Sequence, residues 1–224
     1  MGRHDQILLR EGDDEDAVAR GYLPKPTPGK APDLVDLLGD LIDPNYTNGG
    51  STLVYPCSPK TAIQKFLRTP MDGGLPLRKG APLSEHEYSK HGPKVIAKFK
   101  AMHKSGGIIP DRFKTKKFAQ RLLPERWGET GPTITATSLP DDYIHFHADQ
   151  PRTLTVREWA RLQMFPDWYQ FSGKRTTGGI RRAGNPREGI FEREVPRYTQ
   201  IGNAVPVGLA YAVGMHLAKI LRSK

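Results

Sequence analysis

Cysteine is nearly missing from this chain of 224 residues: Cys57 stands alone. A single thiol excludes an intrachain disulfide and a multi-cysteine zinc site. Long apolar runs are missing too. No stretch approaches membrane-spanning length, and no signal-peptide hydrophobic segment follows Met1. The expected compartment is therefore the cytoplasm, with no membrane partner. Aromatic residues make up 8% and hydrophobic residues 37%, with a mean hydropathy of -0.57. Glycine and proline, by contrast, are plentiful at 23 and 20. That composition points to turns and irregular connections rather than a compact helical bundle.

The net charge is +10, unevenly placed. Within the first 20 residues, Asp5, Glu11, Asp13, Asp14, Glu15 and Asp16 outnumber Arg3, Arg10 and Arg20, so the basic excess lies further on. Such an excess favours a polyanionic partner through phosphate neutralisation and counterion release. A soluble protein with scattered surface charge is the plainer alternative.

Along the chain, an acidic run gives way to Tyr22-Leu-Pro-Lys-Pro-Thr-Pro-Gly29, where closely spaced prolines forbid helix. Leu34, Leu37, Leu38 and Leu41 recur at helical spacing. Ser58-Pro59 reads as a helix start, with Ala62, Ile63, Phe66 and Leu67 as its buried stripe. A helix opening near Pro93 shows Val95, Ile96, Phe99 and Met102 on one face and should end at Gly106-Gly107. Its other face carries Lys94, Lys98, Lys100 and Lys104, either solvated or phosphate-facing. Thr133 to Thr137 and Tyr143 to His147 read as two β-rich runs around a turn at Leu139-Pro-Asp-Asp142. In the second, Ile144 and Phe146 share one face and Tyr143, His145 and His147 the other. The two histidines have no third metal ligand nearby and read as packing or surface residues.

Two stretches near the carboxy terminus are more specific. In Arg152-Thr-Leu-Thr-Val-Arg-Glu158, Thr155 and Glu158 form a capping box, with Leu154 and Trp159 spaced as a hydrophobic staple. The helix must stop before Pro166, giving roughly ten residues with Val156, Trp159, Ala160 and Leu162 available for burial. In Gln200-Ile-Gly-Asn-Ala-Val-Pro206, Asn203 reads as the N-cap of a closing helix with Val205, Leu209, Val213, Leu217 and Ile220 on one face. Lys219, Arg222 and Lys224 suit the negative end of its dipole.

Together and in this order, the two blocks resemble the last two signature motifs of the DNA (cytosine-5) methyltransferases. Pro24 to Gly29, Leu34 to Leu41, Ser58 to Arg68, and Gly131 to Ala136 with Ile144-His145 extend the resemblance. Family members bind S-adenosyl-L-methionine on a doubly wound sheet, flip cytosine out of double-stranded DNA and add a Pro-Cys cysteine to its ring. The blocks for those steps (Phe-x-Gly-x-Gly, Pro-Pro-Cys-Gln, Glu-Asn-Val and Gln-x-Arg-x-Arg) do not occur in these 224 residues. Cys57 follows Pro56 but directly precedes a helix start, so it is expected to be incidental rather than nucleophilic.

The resemblance implies an α+β fold: a small, irregular mixed recognition domain with short strands and several short helices. Its closing helix would pack on a Rossmann-like methyltransferase domain that these residues do not supply. The implied division is a weakly ordered acidic and Pro-rich segment over 1–30, a target-recognition-like domain over 31–198 and a closing helix over 199–224. Asn203 and Val205 match positions that touch the cofactor, and Arg152 and Glu158 match a structural pair bracing the recognition domain. Thr135 falls where the family presents a threonine to DNA. The loop from Lys174 to Arg197, with Arg175, Arg181 and Arg182, is either a phosphate-contacting segment or a solvated loop. No residue of this chain is expected to be catalytic. The implied function is target recognition and completion of the S-adenosyl-L-methionine site, with a second polypeptide carrying the catalytic motifs. A non-catalytic DNA-binding module is the alternative.

Overall fold

In a computed structural model of the protein the described residues are 18–19, 21, 23–25, 32–115, 120–126, 139–176, 186–189, 191 and 195–222. Contacts divide the chain into one unit of Ala31–Ala204 and another of Met1–Lys30 with Val205–Lys224. The segment over 1–30, expected to be weakly ordered, lies almost wholly outside the described residues.

The larger unit opens on α1, Leu34–Leu38, which tightens into a 3-10 turn at Gly39–Leu41. Leu34, Leu37, Leu38 and Leu41 are all buried, as their spacing predicts. Helix α2, Ala62–Arg68, begins later than Ser58-Pro59 suggested. Thr61 is its cap: its hydroxyl accepts from Gln64 N at 3.3 Å, and Gln64 Oε1 accepts from Thr61 N at 3.3 Å. Both residues also donate to the Asp36 carbonyl at 2.8 Å, fixing α2 on α1. The buried face is accordingly Gln64, Leu67 and Arg68, while Phe66 is 60% exposed.

Helix α3, Pro93–Lys104, starts on proline and is followed by Gly106 and Gly107 at φ 64° and 94°, the left-handed conformation expected of that pair. Its Phe99 and Met102 form a core with Ile144, flanked by Val95, Ile109 and Leu122. Strand β1, Arg121–Leu122, pairs in parallel with β2, Tyr143–Ile144. The expected run from Thr133 to Thr137 lies outside the described residues. The predicted turn at 139–142 is instead a short helix, α4, Leu139–Asp142. The face alternation expected for 143–147 also fails: Tyr143, Ile144, His145 and Phe146 are all buried. The cause is pairing on both sides, since Ile144 bridges Thr153 antiparallel and His145 N donates to Arg152 O at 2.8 Å.

Helix α5, Val156–Leu162, is seven residues long rather than ten, because Met164 turns left-handed at φ 62°. Beyond it Phe165, Tyr169 and Phe171 pack with ring centroids 4.9 to 5.0 Å apart. Helix α6, Arg197–Asn203, contains Asn203 as its last residue, not as a cap for the next helix. Ala204 is extended (φ -76°, ψ 145°), and that break separates α6 from α7, Val207–Arg222. The boundary expected between residues 198 and 199 thus falls inside α6, and the contact division comes after Ala204.

In the smaller unit α7 runs 16 residues and ends on Lys219 and Arg222, as the dipole argument expects. His216 Nε2 lies 2.6 Å from Gly21 O. Leu209, Tyr211, Met215, Leu217 and Leu221 are exposed. The helical stretch Arg197–Arg222 covers 26 residues at a hydropathy of 1.5, long and apolar enough to cross a membrane by that measure, which corrects the expectation that none exists. It is nonetheless two helices. The longer one spans about 24 Å at 1.5 Å per residue, short of a hydrocarbon core of about 30 Å.

Candidate functional site

The site begins at the cap of α5. Thr155 N donates to Glu158 Oε2 at 2.8 Å, and Glu158 N donates to Thr155 Oγ1 at 3.2 Å, which is the reciprocal box the sequence predicts. Behind it stands His86, with Nε2 3.0 Å from Leu41 O and Nδ1 2.9 Å from Thr155 Oγ1. A carbonyl can only accept, so Nε2 carries the proton and the threonine hydroxyl donates to Nδ1. Burial lowers the His86 pKa to about 4, keeping the ring neutral.

Glu158 serves a second purpose. Arg152 clamps it in a bidentate pair, both N–O distances being 2.7 Å, and both side chains are fully buried. Gln150 Oε1 accepts from Arg152 Nη2 at 2.8 Å, and the guanidinium lies 4.7 Å from the Tyr88 ring centroid. His145 Nε2 sits 3.4 Å from Glu158 Oε1. Its Nδ1 accepts from His147 N at 3.1 Å, so the proton is on Nε2, facing the carboxylate. Burial pushes the Glu158 pKa up, but Arg152 and His145 outweigh it and hold the carboxyl well below the usual range. Arg152 and Glu158, the pair to which the resemblance assigns a structural role, are thus a fully buried bidentate ion pair.

Sequence reasoning missed the rest of the network. The sequence offers only the apolar residues of α5 for burial, yet Arg157, Glu158 and Arg161 are as buried as Val156, Trp159 and Ala160. Arg161 forks onto Asp40 (2.6 and 3.2 Å) and Asp167 (3.0 and 2.6 Å) and donates to Leu37 O at 2.8 Å. Arg157 donates to Glu85 Oε2 at 2.9 Å and Tyr169 O at 3.0 Å, while Glu85 Oε1 accepts from Phe171 N at 2.9 Å. Arg68 pairs with Asp40, donates to Cys57 O at 2.9 Å and stacks 3.7 Å over Tyr55. Tyr55 in turn donates to Asp167 Oδ2 at 2.7 Å. Four buried arginines therefore meet four buried carboxylates, Asp40, Glu85, Glu158 and Asp167, in segments far apart in sequence. Arginine suits this because its planar fork can satisfy two carboxylates at once. The one signal that could have revealed it was the four-residue spacing of Arg157 and Arg161 followed by Asp167, which reads equally well as a solvated face.

Three further hydrogen bonds hold α6 in place. Gln163 Nε2 donates to Ile201 O at 3.3 Å and Ala204 O at 3.4 Å, and the Tyr198 hydroxyl donates to Leu154 O at 2.9 Å. These bonds fix the helix end that bears Asn203, which is itself exposed. Val205, assigned to the same role, belongs to the smaller unit and is 62% exposed.

Of the residues expected at DNA, Arg175 is half-buried and donates to Glu87 O at 3.2 Å. The ends of its loop are tied together: Arg197 Nε donates to Gly173 O at 2.9 Å and Gln200 Nε2 to Ser172 O at 2.8 Å. Thr135, Arg181 and Arg182 lie outside the described residues. Cys57 is half-buried, with its thiol 3.7 Å from the carbonyl of Asp40 in the 3-10 turn.

A family model described as C-5 cytosine-specific DNA methylase matches residues 31–219. A "DNA (cytosine-5)-methyltransferase 3" of Zea mays is 27% identical over 90% of this chain and 25% of its own length. The "Type II methyltransferase M.DdeI" of Desulfomicrobium norvegicum is 27% identical over 83% of this chain and 42% of its own. The "Type II methyltransferase M.Bpa9945I" of Bacillus paralicheniformis reaches 38% over 44% of this chain and 19% of its own. Among solved structures, a prophage-encoded E. coli protein described as a DNA modification methyltransferase superposes with a TM-score of 0.53 at 20% identity. That superposition covers 88% of this chain and 49% of the other, and it supports the mixed fold of helices with short strands. The chain spans less than half the length of each of these relatives. With its matched span running from α1 through most of α7, the chain belongs to the C-5 cytosine-specific DNA methylase family.

Proposed function

We propose that this chain supplies the DNA-recognising part of a cytosine-5 methyltransferase and completes its S-adenosyl-L-methionine site. Methyl transfer to carbon 5 of cytosine then needs a catalytic segment outside these 224 residues, carried on a second polypeptide. The observation that carries this reading is the end of α6: Gln163 holds the Ile201 and Ala204 carbonyls, so Asn203 is presented from a rigid support rather than from a loop. An exposed Asn203 suits contact with a cofactor held mainly by other residues. When bound, the cofactor would supply the methyl group; this chain would contribute only part of its seat. The excess of basic residues beyond the first 20 supports double-stranded DNA as the partner.

The test is transfer of labelled methyl groups from S-adenosyl-L-methionine to duplex DNA. The purified chain alone should transfer none, and mixing it with a polypeptide that carries the Pro-Pro-Cys-Gln and Glu-Asn-Val blocks should restore activity. Robust methylation by the chain alone would overturn the proposal. DNA binding without rescue by such a partner would favour a non-catalytic binding module instead.

A further inference from the structure

We infer that the cavity between α3 and the 3-10 turn Asp111–Phe113 seats a phosphate of the DNA backbone. This rests on the proposed recognition role and locates it on the surface. The cavity measures about 310 Å³ and is lined by Lys94, Val95, Lys98, Arg112, Phe113 and Lys114, with Thr115 and Gln120. Four of these side chains are cationic. The one acid that meets them among the described residues is the exposed Asp111, 2.6 Å from Lys114 Nζ. An exposed pair of this kind leaves most of the positive field uncancelled.

Lys98 is the second and independent observation. It is 9% exposed, and its ammonium donates to the neutral amide oxygen of Gln120. Among the described residues no carboxylate pairs with it, in contrast to the four buried arginines, each of which has one. A buried cation without a counter-ion is costly, and an anion entering the cavity would relieve that cost. Burial also pulls its pKa down from 10.5, a sign that the ammonium lacks a balancing charge. Phe113 and Val95 give the cavity an apolar wall, and Arg112 lies 4.9 Å over the Phe113 ring, where its fork can turn outward. A phosphodiester offers the matching pattern: a charged phosphate for the lysines and a flanking sugar for the apolar wall.

The experiment measures binding of the full chain to a fluorescent duplex by anisotropy across a salt series. A rim variant, Lys94→Gln with Arg112→Gln and Lys114→Gln, changes only exposed side chains. A control variant removes the same charge elsewhere through Lys60→Gln, Lys65→Gln and Lys79→Gln. The rim variant should bind about tenfold or more weakly. Its slope of log affinity against log salt should fall by about 2 to 3, roughly one for each cation lost. The control should change both far less. Lys98→Met, checked for an intact fold by circular dichroism, should weaken binding in the same direction. Equal behaviour of rim and control variants would overturn the phosphate seat while leaving DNA recognition standing. No duplex binding by the unaltered chain would defeat the recognition role itself, and the seat with it. Retention of inorganic phosphate in equilibrium dialysis without duplex binding would likewise reject DNA as the occupant.

Discussion

Arg68, Arg152, Arg157 and Arg161 are exposed by 1% or less, and each faces at least one carboxylate. Desolvating such ions is expensive, and the pairing roughly offsets it; removing one partner alone leaves a stranded charge and costs about 3–5 kcal/mol. The neutral histidines beside them give the network its pH dependence. Burial lowers His86 from 6.5 to about 4 and holds His145 well below 6.5. The unfolded chain takes up these protons as pH drops through about 6.5 while the folded chain does not. Stability is therefore complete above that value and lost as pH falls from about 6.5 towards 4, at about 1.4 kcal/mol per pH unit for each proton. Glu158, depressed from 4.5, adds loss of the same sign at lower pH; Glu85, raised by burial, opposes it. Urea unfolding should accordingly show a lower midpoint at pH 5 than at pH 7.5, and His86→Gln should shrink the difference. A midpoint unchanged between the two pH values in the parent chain would contradict this assignment.

At the scale of elements, caps decide where helices begin. Thr61-x-x-Gln64 and Thr155-x-x-Glu158 are the same device, and in both the reciprocal bonds form. Thr61→Ala should cost about 1 kcal/mol in chemical denaturation, and more if the bond to Asp36 O counts, whereas Ser58→Ala should cost little. A larger loss at Ser58 would restore the earlier helix start. These cases show what the sequence could and could not tell. Thr155 with Glu158 was legible because both halves of its box lie within one turn. Ser58-Pro59 misled because it is an equally good local start, and only the distant Asp36 carbonyl favours Thr61. Asn203 misled in the same way: asparagine serves either end of a helix, and the decision rests with Ala204, which is extended. The leucines of α1 and the glycines after α3 were legible since spacing and backbone freedom are local properties. The polar side of α5 was not, because its counter-ions come from residues 40 and 85, and a helical pattern says nothing of what covers a charged face.

For the whole molecule, the two units differ in how well they satisfy their own side chains. The larger one buries both apolar and ion-paired residues. In the smaller, α7 leaves Leu209, Tyr211, Met215, Leu217 and Leu221 between 49% and 73% exposed. Apolar surface on that scale, spread round most of the helix, marks an element meant for contact. The chain should therefore self-associate in sedimentation velocity at tens of micromolar, and Leu209→Lys with Leu217→Lys should shift it towards monomer. A monodisperse parent chain would argue that this surface needs no cover.

One arrangement bears on how the protein assembles during synthesis. Arg152 and Glu158 lie six positions apart, and so do Arg161 and Asp167, whereas Arg161 and Asp40 are separated by 121. Closing a loop of six residues takes little entropy compared with one spanning more than a hundred. The left-handed step at Met164 is what doubles the backbone round so that Asp167 reaches Arg161. The stretch from 152 to 167 can thus neutralise two of its arginines within itself as it leaves the ribosome, before the amino-terminal helix returns to close over it.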